Sequence, residues 1–210
     1  MIEDLKFNNI DIEIPKSIII RGKKIGTIDG NYSIISINRP DQLNALTKET
    51  FEEIINFLKN IKFNEEIKCI ILRGMKSFTK KPSFSSGLDL KNLPEPDIKP
   101  IKPYHKYYSA YFIHKYFNFI ENYSKPIIAA IDGYAIGGGF ELALCCDIII
   151  ASERSLFGFP EIKHGMFPAG GGSQKMHRHI GLGRAIKMLY FGSFYSAKEM
   201  FEWGFVSYIV

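Results

Sequence analysis

Short β-rich runs open the chain: Ser17-Ile18-Ile19-Ile20, Lys24 to Ile28 and Tyr32 to Ile37, separated by Arg21-Gly22-Lys23 and Asp29-Gly30-Asn31. This pattern predicts strands joined by two hairpin-like turns. From Thr47 the period changes. Phe51, Ile54, Ile55, Leu58 and Ile61 recur at helical spacing, with Thr47 as N-cap and Thr50 and Glu52 near the start, which predicts a helix to about Lys62. Ile67 to Leu72 then reads as a buried strand ending at Arg73-Gly74. Met75 to Pro103 is rich in Pro, Ser, Lys and Gly and fits no regular element, so it is a long loop, either functional or disordered.

Further on, Tyr104 to Tyr123 predicts an aromatic helix and Pro126 to Ile131 a strand. A glycine turn, a helix over about Gly138 to Cys145 and a strand over Asp147 to Ala151 follow. After an irregular stretch come helices around Arg184 to Phe191 and Ala197 to Trp203, and a last strand over Phe205 to Val210. Strands alternating with helices indicate an α/β fold whose connections cross over the sheet, with ligands bound at the loops after the strands.

At 210 residues and 46% hydrophobic content, one domain over 1–210 with a full core is expected. No apolar run is long enough to span a bilayer, and the start, Met1-Ile2-Glu3-Asp4, is acidic, so a soluble, cytoplasmic protein is expected. Cys69, Cys145 and Cys146 offer no disulfide framework or CxxC pair. The formal charge of +5 suits an anionic ligand such as a phosphorylated cofactor, but the lysines are dispersed, which argues against nucleic acid as a partner.

Three segments join glycine to a residue that can react or donate. They are Ser85-Ser86-Gly87-Leu88-Asp89-Leu90; Ile131 to Leu142, with Gly137-Gly138-Gly139 ahead of Glu141; and Phe157-Gly158-Phe159-Pro160-Glu161, continued by Gly165 and Ala169-Gly170-Gly171-Gly172. Backbone N–H groups at a helix start lack intrahelical partners and carry the positive end of the dipole, so the triple glycine can hold an oxyanion. On the residues alone a second reading stands beside it: the glycines permit close helix–strand packing, and Glu141 is an ordinary acidic residue of a first helical turn. Neither GxGxxG nor GxxxxGK[ST] occurs here.

Together with Asn38-Arg39-Pro40, Leu43-Asn44-Ala45-Leu46 and Gly171-Gly172-Ser173-Gln174, these segments resemble the enoyl-CoA hydratase/isomerase (crotonase) family in order and spacing, from Tyr32 to Val210. The resemblance implies a crotonase-like α/β spiral of ββα units, with most of the usual C-terminal helical region lacking. It implies an oxyanion hole formed by the backbone N–H groups of Leu88 and Gly138. It also implies that Glu141 and Glu161 flank a water at the substrate double bond, with Ser86, Gly87, Leu88, Asp89 and Gly138 touching the substrate. The substrate would be an acyl-CoA thioester, with no separate cofactor because coenzyme A is part of it, and no metal. A homo-oligomer, a trimer or a dimer of trimers, is implied as well. Hydration of a 2-enoyl-CoA is the expected reaction. A Δ3,Δ2-enoyl-CoA isomerase and a non-catalytic acyl-CoA or RNA binding protein are the alternatives.

Other residues are read more plainly. Asp89 is expected to cap a short helix from Leu90 to Leu93. Most of Tyr104, Tyr107, Tyr108, Tyr111, Phe112 and Phe119 belong to the core, with one or two rings touching the acyl group by resemblance. His105, His114, His177 and His179 have no zinc-like partner set, and Cys145 and Cys146 read as buried, inert residues. Asp41 and Gln42 stand where many family members carry a basic residue for coenzyme A, and Lys80 and Lys81 are the candidates to replace it.

Overall fold

A computed structural model describes residues 5–14, 17–20, 23–26, 30–77, 80–92 and 113–210. They form an eight-stranded sheet in the order β12-β9-β7-β5-β4-β1-β2-β3 and a four-stranded sheet in the order β11-β10-β8-β6. The first sheet comprises β1 (Ile10–Ile14), β2 (Ser17–Ile20), β3 (Lys23–Gly26), β4 (Tyr32–Ile37), β5 (Cys69–Gly74), β7 (Ile127–Ile131), β9 (Ile148–Ala151) and β12 (Tyr208–Ile209). Strands β4, β5, β7, β9 and β12 run parallel, and β1 to β3 extend the sheet antiparallel from β4. A row of side chains in register, Ile12, Ile35, Leu72, Ala129 and Ile149, crosses five strands and is buried throughout. That row shows why these runs are almost continuously apolar: burial on a covered parallel sheet leaves no face for polar residues.

The second sheet holds β6 (Ser83–Ser85), β8 (Tyr134–Ile136), β10 (Leu156–Gly158) and β11 (Phe194–Ser196). Each of the first three follows a long strand directly, β6 after β5, β8 after β7 and β10 after β9, so the chain steps repeatedly from the large sheet to the small one. Helices complete the units: α1 (Lys48–Ile61), α2 (Ile113–Glu121), α3 (Gly138–Ala143), α4 (Gly172–Ile180), α5 (Leu182–Phe191) and α6 (Ala197–Glu202). Helix α1 starts as predicted. Thr47 accepts from the Thr50 N–H in a reciprocal capping box, and Phe51, Ile54, Phe57, Leu58 and Ile61 face the core.

Several elements differ from the sequence expectation. Strand β1 was not expected; its Asp11 sits in an otherwise apolar run, buried at 3% exposure and accepting from Asn38 Nδ2 at 2.9 Å. The short strands β6, β8, β10 and β11 lie in stretches read as loop, because three residues carry too little periodicity to register. Helix α4 was missed for a related reason: it begins on glycine and is rich in His, Lys and Arg, with only Met176 and Ile180 as large buried anchors. The predicted strand Lys24 to Ile28 is realised as Lys23–Gly26, and the predicted helix from Tyr104 is described only from Ile113. Tyr104, His105, Tyr107, Tyr108, Tyr111 and Phe112 lie outside the described residues.

One polar residue ties the loop after β4 to the site. Asn44 sits in the left-handed region at φ 54, which Asn tolerates better than most residues. Its Nδ2 donates to Met75 O at 2.9 Å and Ser83 O at 2.7 Å, and its Oδ1 accepts from the Arg39 N–H at 3.1 Å. Asn44→Ala leaves these groups unpaired in a buried place. The expected cost is about 2 to 4 kcal/mol, read as a lower urea midpoint at unchanged m-value.

Candidate active site

Strands β6, β8 and β10 are parallel neighbours, with Ser85 beside Ala135 and Ile136 beside Gly158. Their carboxyl ends therefore release three segments at one level: Ser86-Gly87-Leu88, Gly137-Gly138 and Phe159-Pro160-Glu161. Ligands of parallel sheets bind at such ends. A cavity of about 150 Å³ lies there, lined by Ser86, Gly87, Leu88, Gly138, Glu141 and Glu161 among others. The fold thus brings together every residue expected for the site except Asp89.

The two N–H groups expected to bind an oxyanion stand side by side. A Cβ built on Gly138 would lie 3.4 Å from Leu88 N, and one on Gly87 would lie 3.3 Å from Gly138 N. Gly138 opens α3, so its N–H has no intrahelical acceptor, and the Leu88 N–H donates to no carbonyl among the described residues. The flanking bonds hold Leu88 in place: Leu46 N–H donates to Gly87 O at 2.8 Å and Asp89 N–H to Leu46 O at 2.9 Å.

Asp89 has another task. Its carboxylate accepts from Arg39 at 2.9 Å and from Asn92 Nδ2 at 3.0 Å, and Arg39 also donates to Ala45 O at 2.6 Å. The side chain is turned onto the loop after β4, where it braces that loop, and it is not among the residues lining the cavity. Arg39 and the hydrogen bonds from Asn92 and Lys91 outweigh burial and hold its pKa below the usual carboxylate value. The expected capping contact is made, Lys91 N–H donating to Asp89 Oδ1 at 3.2 Å, on a turn also closed by Asn92 N–H to Asp89 O at 3.1 Å; Leu93 lies outside the described residues.

Glu141 lies on the first turn of α3 at 3% exposure, and its Oε1 accepts from the Gly172 N–H at 2.9 Å. Glu161 lies in the first turn of a 3-10 helix, Pro160–His164, and its buried Oε2 has no hydrogen-bond partner among the described residues. Two glycines admit these carboxylates. Gly137, at φ 54, leaves room for Glu161 Oε1, which would lie 2.9 Å from a Cβ; Gly170 fits between Phe117 and Glu141 Oε2, where a Cβ would meet atoms at 2.1 and 2.7 Å. Burial pushes both carboxyls above the usual range, and the more deeply buried Glu141 the further; the Gly172 N–H pulls Glu141 partly back, Glu161 adds like-charge repulsion, and the Lys175 ammonium lowers it again.

Sequence reasoning missed three parts of this arrangement. Phe140 stacks on Phe159 with centroids 4.6 Å apart and planes at 17°, locking the helix that carries Glu141 to the segment that carries Glu161. His164 lines the cavity three residues after Glu161, and the 3-10 period puts such residues on one face. Met166 and the exposed Phe167 form an apolar rim. Lys80 and Lys81 do not line the cavity, and Lys81 turns to the Tyr134 hydroxyl at 3.4 Å.

Comparison with known proteins settles the family. The sequence pattern described as enoyl-CoA hydratase/isomerase matches residues 27–210. The chain belongs to this family. It is 37% identical over 179 residues to the putative enoyl-CoA hydratase/isomerase YngF of Bacillus subtilis, covering 85% of this chain and 65% of that one. It is 33% identical to the short-chain-enoyl-CoA hydratase of Clostridium acetobutylicum, covering 87% and 66%. The chain therefore spans slightly less than two thirds of the length of these relatives. The crystal structure of an enoyl-CoA hydratase from Bacillus anthracis superposes with a TM-score of 0.79 at 31% identity, over 97% of this chain and 70% of that one. The two sheets and their stepping connections are the crotonase fold.

Proposed function

We propose that this crotonase-family chain adds water to a 2-enoyl-CoA thioester, giving a 3-hydroxyacyl-CoA. The observation that carries the reading is the pair of unengaged N–H groups, Leu88 and Gly138, beside a cavity holding two buried carboxyls. Water addition builds negative charge on the thioester oxygen, and a preorganised donor facing that oxygen is worth about 3 kcal/mol in the transition state. Glu141 takes a proton from water as its oxygen bonds to C3. Glu161 gives its proton to C2, and the electron pair of the double bond forms the new C2–H bond. Afterwards Glu141 carries the extra proton, which returns to Glu161 to reset the pair.

The roles are assigned on geometry. Glu141 already faces a donor, the Gly172 N–H, which suits a carboxylate; Glu161 Oε2 faces none, which suits a protonated oxygen with its hydrogen free to transfer. Burial pushes Glu141 further than Glu161, which taken alone favours the opposite assignment. Two such acids titrate as a pair, so the resting order of protons does not set the order in the bound complex. A coupled assay tests the function itself. Hydration consumes the conjugated absorbance of a 2-enoyl-CoA, whereas creation of that absorbance from a 3-enoyl-CoA would point to isomerisation with Glu161 as the lone shuttle.

Glu141→Gln is expected to lower hydration on the order of 10²-fold or more and to spare any isomerase activity. The same variant has a stability signature. Because burial raises the folded-state pKa from 4.5 to about 8, the folded protein holds a proton that the unfolded chain has released in between. Stability is therefore lost as pH rises through that window, at up to about 1.4 kcal/mol per pH unit. Glu141→Gln removes the loss, so its Tm should exceed that of wild type progressively as pH rises from 4.5 to about 8, as followed by thermal melts across pH.

A further inference from the structure

Lys175 on α4 is a nearly buried lysine, its side chain 16% exposed, outside the cavity lining. Its Nζ ion-pairs with Glu121 Oε2 of α2 at 2.7 Å and donates to Cys145 Sγ at 3.8 Å. Cys145 in turn donates to the backbone carbonyl of Glu141 at 3.3 Å. The aliphatic stem folds back on the glycine turn ahead of its own helix: a Cβ on Gly171 would lie 2.9 Å from Lys175 Cε and 3.3 Å from Nζ. Gly171 itself sits at φ 122, where an L side chain is strained, and the next residue, Gly172, gives its N–H to Glu141. One side chain thus presses on the turn that holds the Glu141 carboxylate, while its charged end is pinned between α2 and the end of α3.

We propose that Lys175 is a positioning residue for Glu141, held by Glu121 and Cys145, which fixes the Gly170-Gly171-Gly172 turn and places a side-chain cation behind the carboxylate. An ammonium in a poorly solvated place is a large local charge. Among the described residues, the charged and titratable groups around Glu141 are Glu161 from the 3-10 helix, His164 on the same helix at the cavity, Cys145 just after α3, Lys175 from α4 and Glu121 from α2 behind it. Lys175 is the member of this set that favours the ionised form of Glu141 from outside the cavity. The lysine stem and the glycine turn require one another: a larger residue at position 171 would collide with the stem, and a shorter residue at 175 would leave the turn unsupported.

The inference rests on Glu141 acting as the base in the proposed hydration, and its test has an arm that does not. Lys175→Met should lower kcat about tenfold, change KM less than twofold, and move the acid limb of the kcat–pH profile upward by about half to one pH unit, because an opposite charge near a carboxylate lowers its pKa. Lys175→Arg, which restores charge and reach, should recover most of kcat and the position of the limb. Should Lys175→Met fail to fold, Lys175→Gln keeps most of the stem and a polar end without the charge and carries the same expectation. Independently of turnover, the pH dependence of Tm in the presence and absence of Glu141→Gln reads the titration of Glu141. In the Lys175→Met background that titration should move upward by the same half to one unit. An acid limb and a Tm titration both unmoved by Lys175→Met would overturn the proposal. If wild type hydrates no 2-enoyl-CoA, the hydration reading fails while the Tm titration still decides the role of Lys175.

Discussion

Replacing Glu161 with Gln is expected to lower kcat for hydration of a 2-enoyl-CoA by about 10²- to 10⁴-fold while leaving KM nearly unchanged. The amide keeps the shape of the side chain and its place against Gly137, but it has no acidic proton to deliver to C2. Glu161 Oε2 is buried without a partner, so the substitution breaks no hydrogen bond there, and folding should be preserved. Its raised pKa makes the wild-type protein lose stability as pH rises above the usual carboxylate range, and the Gln variant should escape that loss. The measurement is the decay of the conjugated thioester absorbance at saturating and at low substrate. A variant that keeps more than about a tenth of kcat would remove Glu161 from the acid role, because a general acid contributes at least about 10²-fold.

Leu88→Pro should be the second severe change, costing on the order of 10²- to 10³-fold in kcat, whereas Leu88→Ala should keep most of it. The contrast isolates the backbone. Proline has no N–H to give to the thioester oxygen, while alanine retains the donor and loses only apolar contact with the Gly138 region. Proline also restricts Gly87, which sits at φ 99, so coenzyme A binding and Tm are the controls. With both near wild type and kcat collapsed, the lost donor is the cause. Normal turnover by Leu88→Pro would mean that the thioester oxygen is held elsewhere, and the proposed site would fall.

Elements are legible in the sequence where local chemistry and burial agree. The period of Phe51, Ile54, Leu58 and Ile61 and the Thr47 cap located α1 to within a residue or two, because both the core face and the first-turn N–H groups are satisfied by residues close in sequence. The glycine-to-Glu141 junction was legible for the same reason: an unpartnered N–H at a helix start follows from the chain's own geometry. The bracing contact of Asp89 was not legible because its partner, Arg39, is fifty positions away and reaches it only through the folded loop. His164 was overlooked since its face is set by a 3-10 turn, whose period is rarely sought in a sequence.

The sequence by itself determined the alternation of strands and helices, the three glycine-bearing segments and the family to which they belong, since each is encoded within a dozen neighbouring residues. Only the tertiary structure decided how those segments meet. The small sheet of three-residue strands, invisible to periodicity, is what aligns the ends of β6, β8 and β10, so that Leu88, Gly138 and Glu161 face one cavity. Only the tertiary structure, too, set the protonation of the two glutamates. An isolated chain would hold both as ordinary carboxylates, and it is desolvation in the folded protein that pushes their pKa up, a property of packing that no local run of residues specifies.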